Sequence, residues 1–174
     1  MTAPSFDAFG LAAPLGRALA RLDIHAPTPI QAAAIPILLA GADVVATAPT
    51  GTGKTAAFML PALHRVATGR ATPGRGPRVL VLTPTRELAQ QVERATMELG
   101  RMLPRFTSVC ITGGASYQVQ NRRLAEPHEV LVATPGRFID QLRAGRIELG
   151  RVDTLVLDEA DRMLDMGFSD DVLE

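Results

Sequence analysis

Short apolar runs alternate with longer mixed segments along most of the 174-residue chain. The apolar runs are rich in β-branched residues and predict strands at 44–46, 79–83, 108–112, 130–133 and 154–157. The segments around them predict helices at 15–21, 29–39, 54–67, 86–103, 117–124 and 136–144. Because strands and helices alternate, we expect an α/β fold: a doubly wound, mostly parallel sheet with helices on both faces.

The segment 48–55 (Ala-Pro-Thr-Gly-Thr-Gly-Lys-Thr) follows the first predicted strand and opens a predicted helix. Glycines permit backbone angles that other residues resist, and a helix N-terminus attracts anions, so the segment is typical of a phosphate-binding P-loop. Lys54 is expected to reach the β- and γ-phosphates and Thr55 to bind Mg²⁺. The usual pattern begins with glycine, where this chain has alanine. The loop residues predicted to bind nucleotide are Ala48, Thr50, Gly51, Thr52, Gly53, Lys54 and Thr55.

Two adjacent acids, Asp158 and Glu159, end the last predicted strand. Ligands of open α/β sheets bind beyond the carboxyl ends of strands. Asp158 is expected to hold Mg²⁺ partly through water, and Glu159 to orient and deprotonate an attacking water. An acid pair alone is more often a solvated loop, but its combination with the P-loop favours a catalytic site of Lys54, Asp158 and Glu159.

The composition limits the class of protein but does not indicate a function. The chain is 47% hydrophobic, which argues against disorder, and its net charge is zero, which is unusual for a nucleic-acid binder. A few placed arginines and helix N-termini can still bind phosphates. Arg70, Arg75 and Arg78 form one loose basic group in or near a predicted surface loop, 68–77. Cys110, the only cysteine, is expected to be an inert core residue. Together with the lack of a signal peptide or membrane-spanning run, it favours a cytoplasmic setting.

The tetrapeptide 158–161 (Asp-Glu-Ala-Asp) and further motifs resemble the DEAD-box RNA helicases, specifically their first RecA-like domain, from about residue 6 to the end. The segment 26–31 (Ala-Pro-Thr-Pro-Ile-Gln) is similar to the adenine-reading Q motif, whose segment we place at about 4–32. Segments 84–89, 113–114, 134–137 and 162–168 match further motifs in the family's order, the last one particularly in bacterial members. One departure is Asp23-Ile24, where the family usually has glycine and an aromatic residue.

The resemblance implies roles for these residues. Gln31 would read the adenine edge, since an amide both donates and accepts. Phe6 alone is equally typical of a core contact, but with Gln31 present we favour stacking on the base. Asp161 would couple the ATP site to a second domain. RNA would be bound through its sugar–phosphate backbone, independently of sequence. The residues implied in RNA binding are Pro84, Thr85, Arg86, Gly113, Gly114, Thr134, Pro135, Gly136 and Arg137.

The family's first domain continues past the position of Glu174 to a Ser-Ala-Thr motif, and a second RecA-like domain then supplies arginine fingers. We therefore expect residues 1–174 to be the N-terminal ATP-binding half of an RNA-dependent ATPase that unwinds short RNA duplexes, with ATP and Mg²⁺ as cofactors. Without the second domain, nucleotide binding is expected to be weak and hydrolysis poor. The alternative is a non-catalytic module that binds a nucleotide or a partner protein.

Overall fold

The computed structural model describes residues 5–70 and 72–170. A 3-10 helix at Phe6–Phe9 begins the described chain. The α-helices are α1 (Ala13–Arg21), α2 (Pro29–Leu39), α3 (Lys54–Thr68), α4 (Arg86–Gly100), α5 (Tyr117–Ala125), α6 (Pro135–Arg143) and α7 (Ala160–Asp165). The strands are β1 (Val79–Leu82), β2 (Ser108–Ile111), β3 (Val130–Ala133) and β4 (Thr154–Leu157).

The four strands form one sheet in the order β2-β3-β1-β4, and every adjacent pair is parallel. Leu80 on the central strand β1 lies opposite Leu131 on β3 and Leu155 on β4. Helices connect these strands because parallel neighbours need a crossover. The predicted α/β fold with a parallel sheet is therefore confirmed.

The predicted strand at 44–46 is wrong for the described structure. Residues 42–49 carry no regular secondary structure, and the side chain of Val45 is fully exposed. An isolated strand has no hydrogen bonds of its own, so β-branched residues alone do not create one. Among the described residues β4 stands at an edge of the sheet, with Leu155 58% exposed.

Packing divides the described chain into two compact units. The first unit comprises the described residues up to Arg70 together with Ala95–Phe106, and the second comprises 72–94 and 107–170. In the first unit α1 and α2 pack against α3. Leu15, Ile35 and Leu63, one from each of these helices, are fully buried, so apolar burial stabilises this helical layer.

The core of the second unit lies on the sheet. Leu82, Ile111, Leu131 and Met163 belong to one buried apolar cluster. Strands β1 and β3 are buried at every position, as expected for the central strands of a parallel sheet. This rigid centre fixes the positions of the loops that follow each strand.

One residue of the predicted basic group is not a surface residue. Arg78 is only 4% exposed, and its Nε and Nη2 donate to Asp153 Oδ2 at 3.1 and 2.8 Å. The end of the predicted loop is also packed, because a Cβ on Gly76 would overlap the backbone carbonyl of Glu148. Arg78 therefore makes these contacts inside the second unit, whereas Arg75 is exposed.

Cys110 on β2 provides a test of this packing. Burial, followed by the charge of Glu93, raises the pKa of its thiol from about 9.0 to about 12. Since only the thiolate reacts, alkylation of the folded chain at pH 8 should be slower than that of the unfolded chain by on the order of a thousandfold. Mass spectrometry of the alkylated protein with and without denaturant measures this ratio. Equal rates would contradict the placement of this thiol.

No helix in the part of the chain that the structure describes is long and apolar enough to cross a membrane.

Candidate functional site

The phosphate loop of the first unit adopts the geometry that its glycines predict. Gly51 and Gly53 have φ angles of 81° and 82°, in the left-handed region that glycine tolerates best. Helix α3 then begins at Lys54 and runs for 15 residues, and no side chain caps its N-terminus at Gly53. Its first backbone N–H groups and its dipole therefore favour an anion at the loop, as a phosphate-binding site requires.

Gln31 connects the phosphate loop to the start of α2 through hydrogen bonds of its side chain. Its Nε2 donates to the Gly53 carbonyl at 3.1 Å, and its Oε1 accepts from the Thr28 N–H at 3.0 Å. Thr28 Oγ1 adds a bond to the Thr52 carbonyl at 2.8 Å. The Gln31 side chain is 4% exposed. One amide hydrogen and one lone pair remain after these bonds, so its reading of adenine stays a prediction.

Sequence reasoning missed the part that Thr28 plays here. A recognisable signal existed, because a threonine three residues before a glutamine at a helix start is the capping-box pattern. The bond from the Thr28 N–H to Gln31 is one half of that motif. What the pattern could not reveal is that both residues also bind the carbonyls of Thr52 and Gly53, more than 20 positions away in the sequence.

Phe6 is a buried residue in the first unit. The residue is 6% exposed, and its ring meets that of Phe9 edge-to-face, with the ring centroids 5.9 Å apart. Phe6 thus makes the core contact that the sequence left open, and the stacking of Phe6 on a base stays a prediction.

A cavity of about 330 Å³ lies beside the phosphate loop, and its size is typical of small-molecule sites. It is lined by Pro29, Ile30, Ala33, Thr47, Ala48, Pro49 and Thr52.

The two acids lie in the second unit at the end of β4. Asp158 is 9% exposed, and its backbone N–H donates to the Leu82 carbonyl at 3.0 Å, which extends the pairing of β4 with β1. Glu159 has φ 52° and ψ 50°, a left-handed conformation that is costly for a residue with a side chain. Its Oε2 lies 3.2 Å from Arg162 Nη1. Asp161 is exposed in the first turn of α7.

The segments implied in RNA binding follow three neighbouring strands of the same sheet. Residues 84–86 follow β1, Gly113 and Gly114 follow β2, and 134–137 follow β3. Because these strands are parallel and adjacent in the order β2-β3-β1, the three segments lie along one edge of the sheet. The acids after β4 continue the same edge. The second unit thus brings its predicted site residues together.

Contacts between the segments confirm that they are neighbours. The Thr134 N–H donates to the Ile111 carbonyl at 3.2 Å, just before the glycine pair. A Cβ on Gly114 would lie 3.4 Å from Arg86 Nη1, so this exposed arginine stands beside the glycines. Thr85 Oγ1 accepts from the Leu88 N–H at 3.3 Å, within the first turn of α4. An arginine, glycine backbones and helix starts are thus placed to bind an anionic chain.

Arg137 is one of three buried members of this set, together with Pro84 and Pro135. It is 8% exposed, and its guanidinium lies over the ring of Tyr117, 3.7 Å from the centroid. The Tyr117 hydroxyl donates to Asp140 Oδ2 at 2.8 Å. Sequence reasoning missed Tyr117 and Asp140 because they lie on different helices and no motif joins them.

Tyr117 offers a direct optical test of that contact, since it is the only tyrosine and the chain has no tryptophan. Its hydrogen bond to Asp140 raises the pKa of the hydroxyl above its ordinary value of 10.0. A raised pKa means that the stability from this bond is present below pH 10 and is lost as the pH rises through the raised pKa. Titration of tyrosinate absorbance should show a pKa above that of the unfolded chain, and Asp140→Ala should lower it. An unchanged titration in Asp140→Ala would show that the contact does not form.

The residues present fit a nucleoside triphosphate and a magnesium ion. The uncapped start of α3, the left-handed glycines and Lys54 suit phosphates, and the Thr55 hydroxyl and Asp158 carboxylate are oxygen donors of the kind that Mg²⁺ prefers. A Cβ at Gly53 would meet the Gln31 amide and add to the strain of the left-handed φ angle, so glycine suits this position of the loop.

Comparison with known proteins agrees with this arrangement. The sequence model of the DEAD/DEAH box helicase family matches residues 28–174. An ATP-dependent RNA helicase DeaD of Mycobacterium tuberculosis is 51% identical over 156 residues, which cover 90% of this chain and 27% of that protein. The ATP-dependent RNA helicase-like protein DB10 of Nicotiana sylvestris is 46% identical over 164 residues, covering 94% of this chain and 27% of that protein.

A solved structure resembles the fold closely. The RNA helicase Prp28 from Chaetomium thermophilum, bound to ADP, superposes with a TM-score of 0.88 at 40% identity, covering 97% of this chain and 41% of that one. This chain spans about a quarter of the length of the two relatives above. From the family match, the shared fold and the motifs along the sheet edge, the chain belongs to the DEAD/DEAH box helicase family.

Proposed function

We propose that this domain binds ATP and RNA, and that in the complete natural protein it forms half of an RNA-dependent ATPase that separates short RNA duplexes. One observation carries the proposal. Four adjacent parallel strands place the glycine pair, the Thr134 segment, the Thr85–Arg86 segment and the acids along a single edge of the sheet. Groups suited to RNA phosphates therefore stand beside groups suited to hydrolysis.

On the nucleotide side, the backbone N–H groups of the phosphate loop and of the first turn of α3 bind the phosphates. Lys54 would neutralise charge on the β- and γ-phosphates. Thr55 and Asp158 would each offer an oxygen ligand to Mg²⁺, and a bound Mg²⁺ would supply further charge neutralisation. Glu159 orients the attacking water and accepts its proton. Gln31 reads adenine, and the cavity beside the loop supports a base at this end of α2.

On the RNA side, the domain binds the sugar–phosphate backbone rather than the bases. The exposed Arg86 supplies a charged donor, and the exposed Gly113–Gly114 pair permits close approach of a strand. The 4% aromatic content leaves few rings for base stacking, so binding is independent of sequence. Preference for RNA over DNA then depends on 2′-hydroxyl groups.

This domain on its own is expected to bind nucleotide weakly and to hydrolyse it slowly. In the family a second RecA-like domain supplies arginine fingers, and a missing arginine finger costs about 10³–10⁵ in rate. Asp161 would contact such a domain, and its exposure in the first turn of α7 supports this role. We also propose a cytoplasmic location, which fluorescence imaging of the tagged natural protein tests.

The central test is hydrolysis of ATP by the complete natural protein with and without single-stranded RNA. RNA should stimulate turnover, single-stranded DNA of the same length should stimulate it less, and GTP should be a poor substrate. Hydrolysis that is indifferent to RNA would contradict the proposed function. Nucleotide binding with no turnover under any of these conditions would favour the alternative, a non-catalytic binding module.

A further inference from the structure

Arg137 has an environment that an RNA-binding arginine does not need. Its Nη1 donates to the Ala115 carbonyl at 3.0 Å and to Gln120 Oε1 at 2.9 Å. These two bonds use both hydrogens of that nitrogen. The ring of Tyr117 covers one face of the guanidinium, and the residue as a whole is 8% exposed. The side chain is thus committed to contacts inside the second unit.

The partners of Arg137 are fixed in turn. Gln120 is 4% exposed, and its Nε2 donates to the Thr112 carbonyl at 2.9 Å. Thr112 directly follows β2, and Ala115 directly follows the Gly113–Gly114 pair. The two acceptors around the glycine pair are therefore bound, one through Gln120 and the other by Arg137 itself. The hydroxyl of Tyr117 donates to Asp140 on α6, and the Tyr117 ring covers the guanidinium of Arg137.

This arrangement joins two of the segments implied in RNA binding. Arg137 belongs to the first turns of α6, next to Thr134 and Gly136, while its acceptors belong to the loop after β2 and to α5. A glycine pair has many accessible backbone conformations, and an exposed one holds a single conformation only when neighbouring contacts restrain it. The charge-assisted bond from Arg137 to the Ala115 carbonyl and the bond from Gln120 to the Thr112 carbonyl supply that restraint.

We propose that Arg137 is a positioning residue: it holds the Gly113–Ala115 loop against the start of α6 so that both present their backbone groups to RNA, and it does not itself bind an RNA phosphate. The proposal rests on the proposed function in naming RNA as the ligand. It corrects the sequence expectation for this one residue. Arg86 keeps the expected role, since it is exposed and stands beside Gly114.

The dependence of RNA affinity on salt separates the two roles. Each neutralised phosphate of a single strand contributes about 0.7 to the slope of log affinity against log salt concentration. In the complete natural protein, Arg86→Gln should weaken binding and reduce the slope by about 0.7. Arg137→Gln should weaken binding roughly tenfold, because buried carbonyls lose a charged donor, while the slope stays at the wild-type value. A slope reduced in Arg137→Gln as much as in Arg86→Gln would overturn the proposal.

A second variant keeps the positive charge of Arg137 and removes one of its hydrogen-bond acceptors. Gln120→Met is close in size, leaves Arg137 positive and takes away one of its acceptors. Positioning requires weaker RNA binding in this variant with the wild-type salt slope. A phosphate-binding Arg137 would instead be released toward RNA, so unchanged or tighter binding would overturn the proposal. Tyr117→Phe, which keeps the ring beneath the guanidinium, should bind RNA more tightly than Gln120→Met.

A measurement without RNA distinguishes a failure of this proposal from a failure of the proposed function. Backbone ¹⁵N relaxation of the 174-residue chain reports the order of the Gly113, Gly114 and Ala115 amides on the fast timescale. The order parameters of these amides should fall in Arg137→Gln and stay unchanged in Arg86→Gln, with thermal unfolding confirming that both variants fold. Unchanged loop order in Arg137→Gln would overturn the positioning role. Loss of order with no RNA binding by the wild-type protein would leave positioning intact and refute the proposed function.

Discussion

Replacing Glu159 by Gln should reduce ATP turnover in the complete natural protein by about 10²–10⁴-fold while leaving ATP affinity near the wild-type value. The amide has the same shape as the carboxylate and still accepts a hydrogen bond from Arg162, but it cannot accept a proton from water. Glu159 also occupies a left-handed backbone conformation, which proteins retain where the surrounding structure requires it, often at functional sites. Steady-state hydrolysis and equilibrium binding of a fluorescent ATP analogue measure the two quantities.

The matched control for this change is Arg162→Gln. It breaks the same 3.2 Å ion pair and leaves the Glu159 carboxylate in place. Arg162 is 55% exposed at its side chain, and exposed pairs contribute little to stability, so this variant should turn over ATP at close to the wild-type rate. Equal losses in the two variants would show that the ion pair matters rather than the base. Retained turnover in Glu159→Gln would refute the assignment of the base.

Local signals explain why much of the fold could be predicted. Helix α3 begins at Lys54 as predicted, because a glycine-containing loop and an apolar helical segment meet there in the sequence. Strands β1 and β3 match runs of β-branched residues that are buried throughout. The six-residue helix α7 was not predicted, since it is too short to show a helical period and begins after the left-handed Glu159.

The wrong strand and the contacts that the sequence did not indicate share a physical cause, which is dependence on other parts of the chain. A strand at 44–46 needs a neighbouring strand, and none pairs with it in the described residues. The Gln31 amide contacts residues 3 and 22 positions away, which its motif did not indicate, and its reading of adenine stays a prediction. Arg137 was assigned to phosphates from its motif, while its acceptors come from the loop and helix that follow β2. Residue chemistry indicated that these side chains form hydrogen bonds, and the fold determined their partners within the protein.

Replacing Gly53 by Ala should abolish most nucleotide binding, because two separate costs coincide at this position. The φ angle of 82° costs an L-residue about 1–2 kcal/mol, and a Cβ would overlap the Gln31 amide nitrogen and lie 3.3 Å from Thr28 Oγ1. Either the loop or the Gln31 and Thr28 side chains that hold it would have to shift, and only the fraction of molecules that keeps the observed loop binds phosphates. We expect a loss of affinity of about a hundredfold, measured by calorimetric titration with ADP and ATP.

The variant Gly51→Ala separates the cost of the left-handed backbone angle from the cost of the Cβ overlap. Gly51 has nearly the same φ angle, 81°, but nothing lies within 4 Å of a Cβ built there. It should therefore lose only about tenfold in affinity, through backbone strain alone. Adding Gln31→Ala to each glycine variant completes a double-mutant cycle. Removing the Gln31 side chain should reduce the cost of Gly53→Ala to that of Gly51→Ala and leave the cost of Gly51→Ala unchanged. Equal effects of the two glycine variants in the presence of Gln31 would mean that the contact between this glutamine and the phosphate loop does not support nucleotide binding.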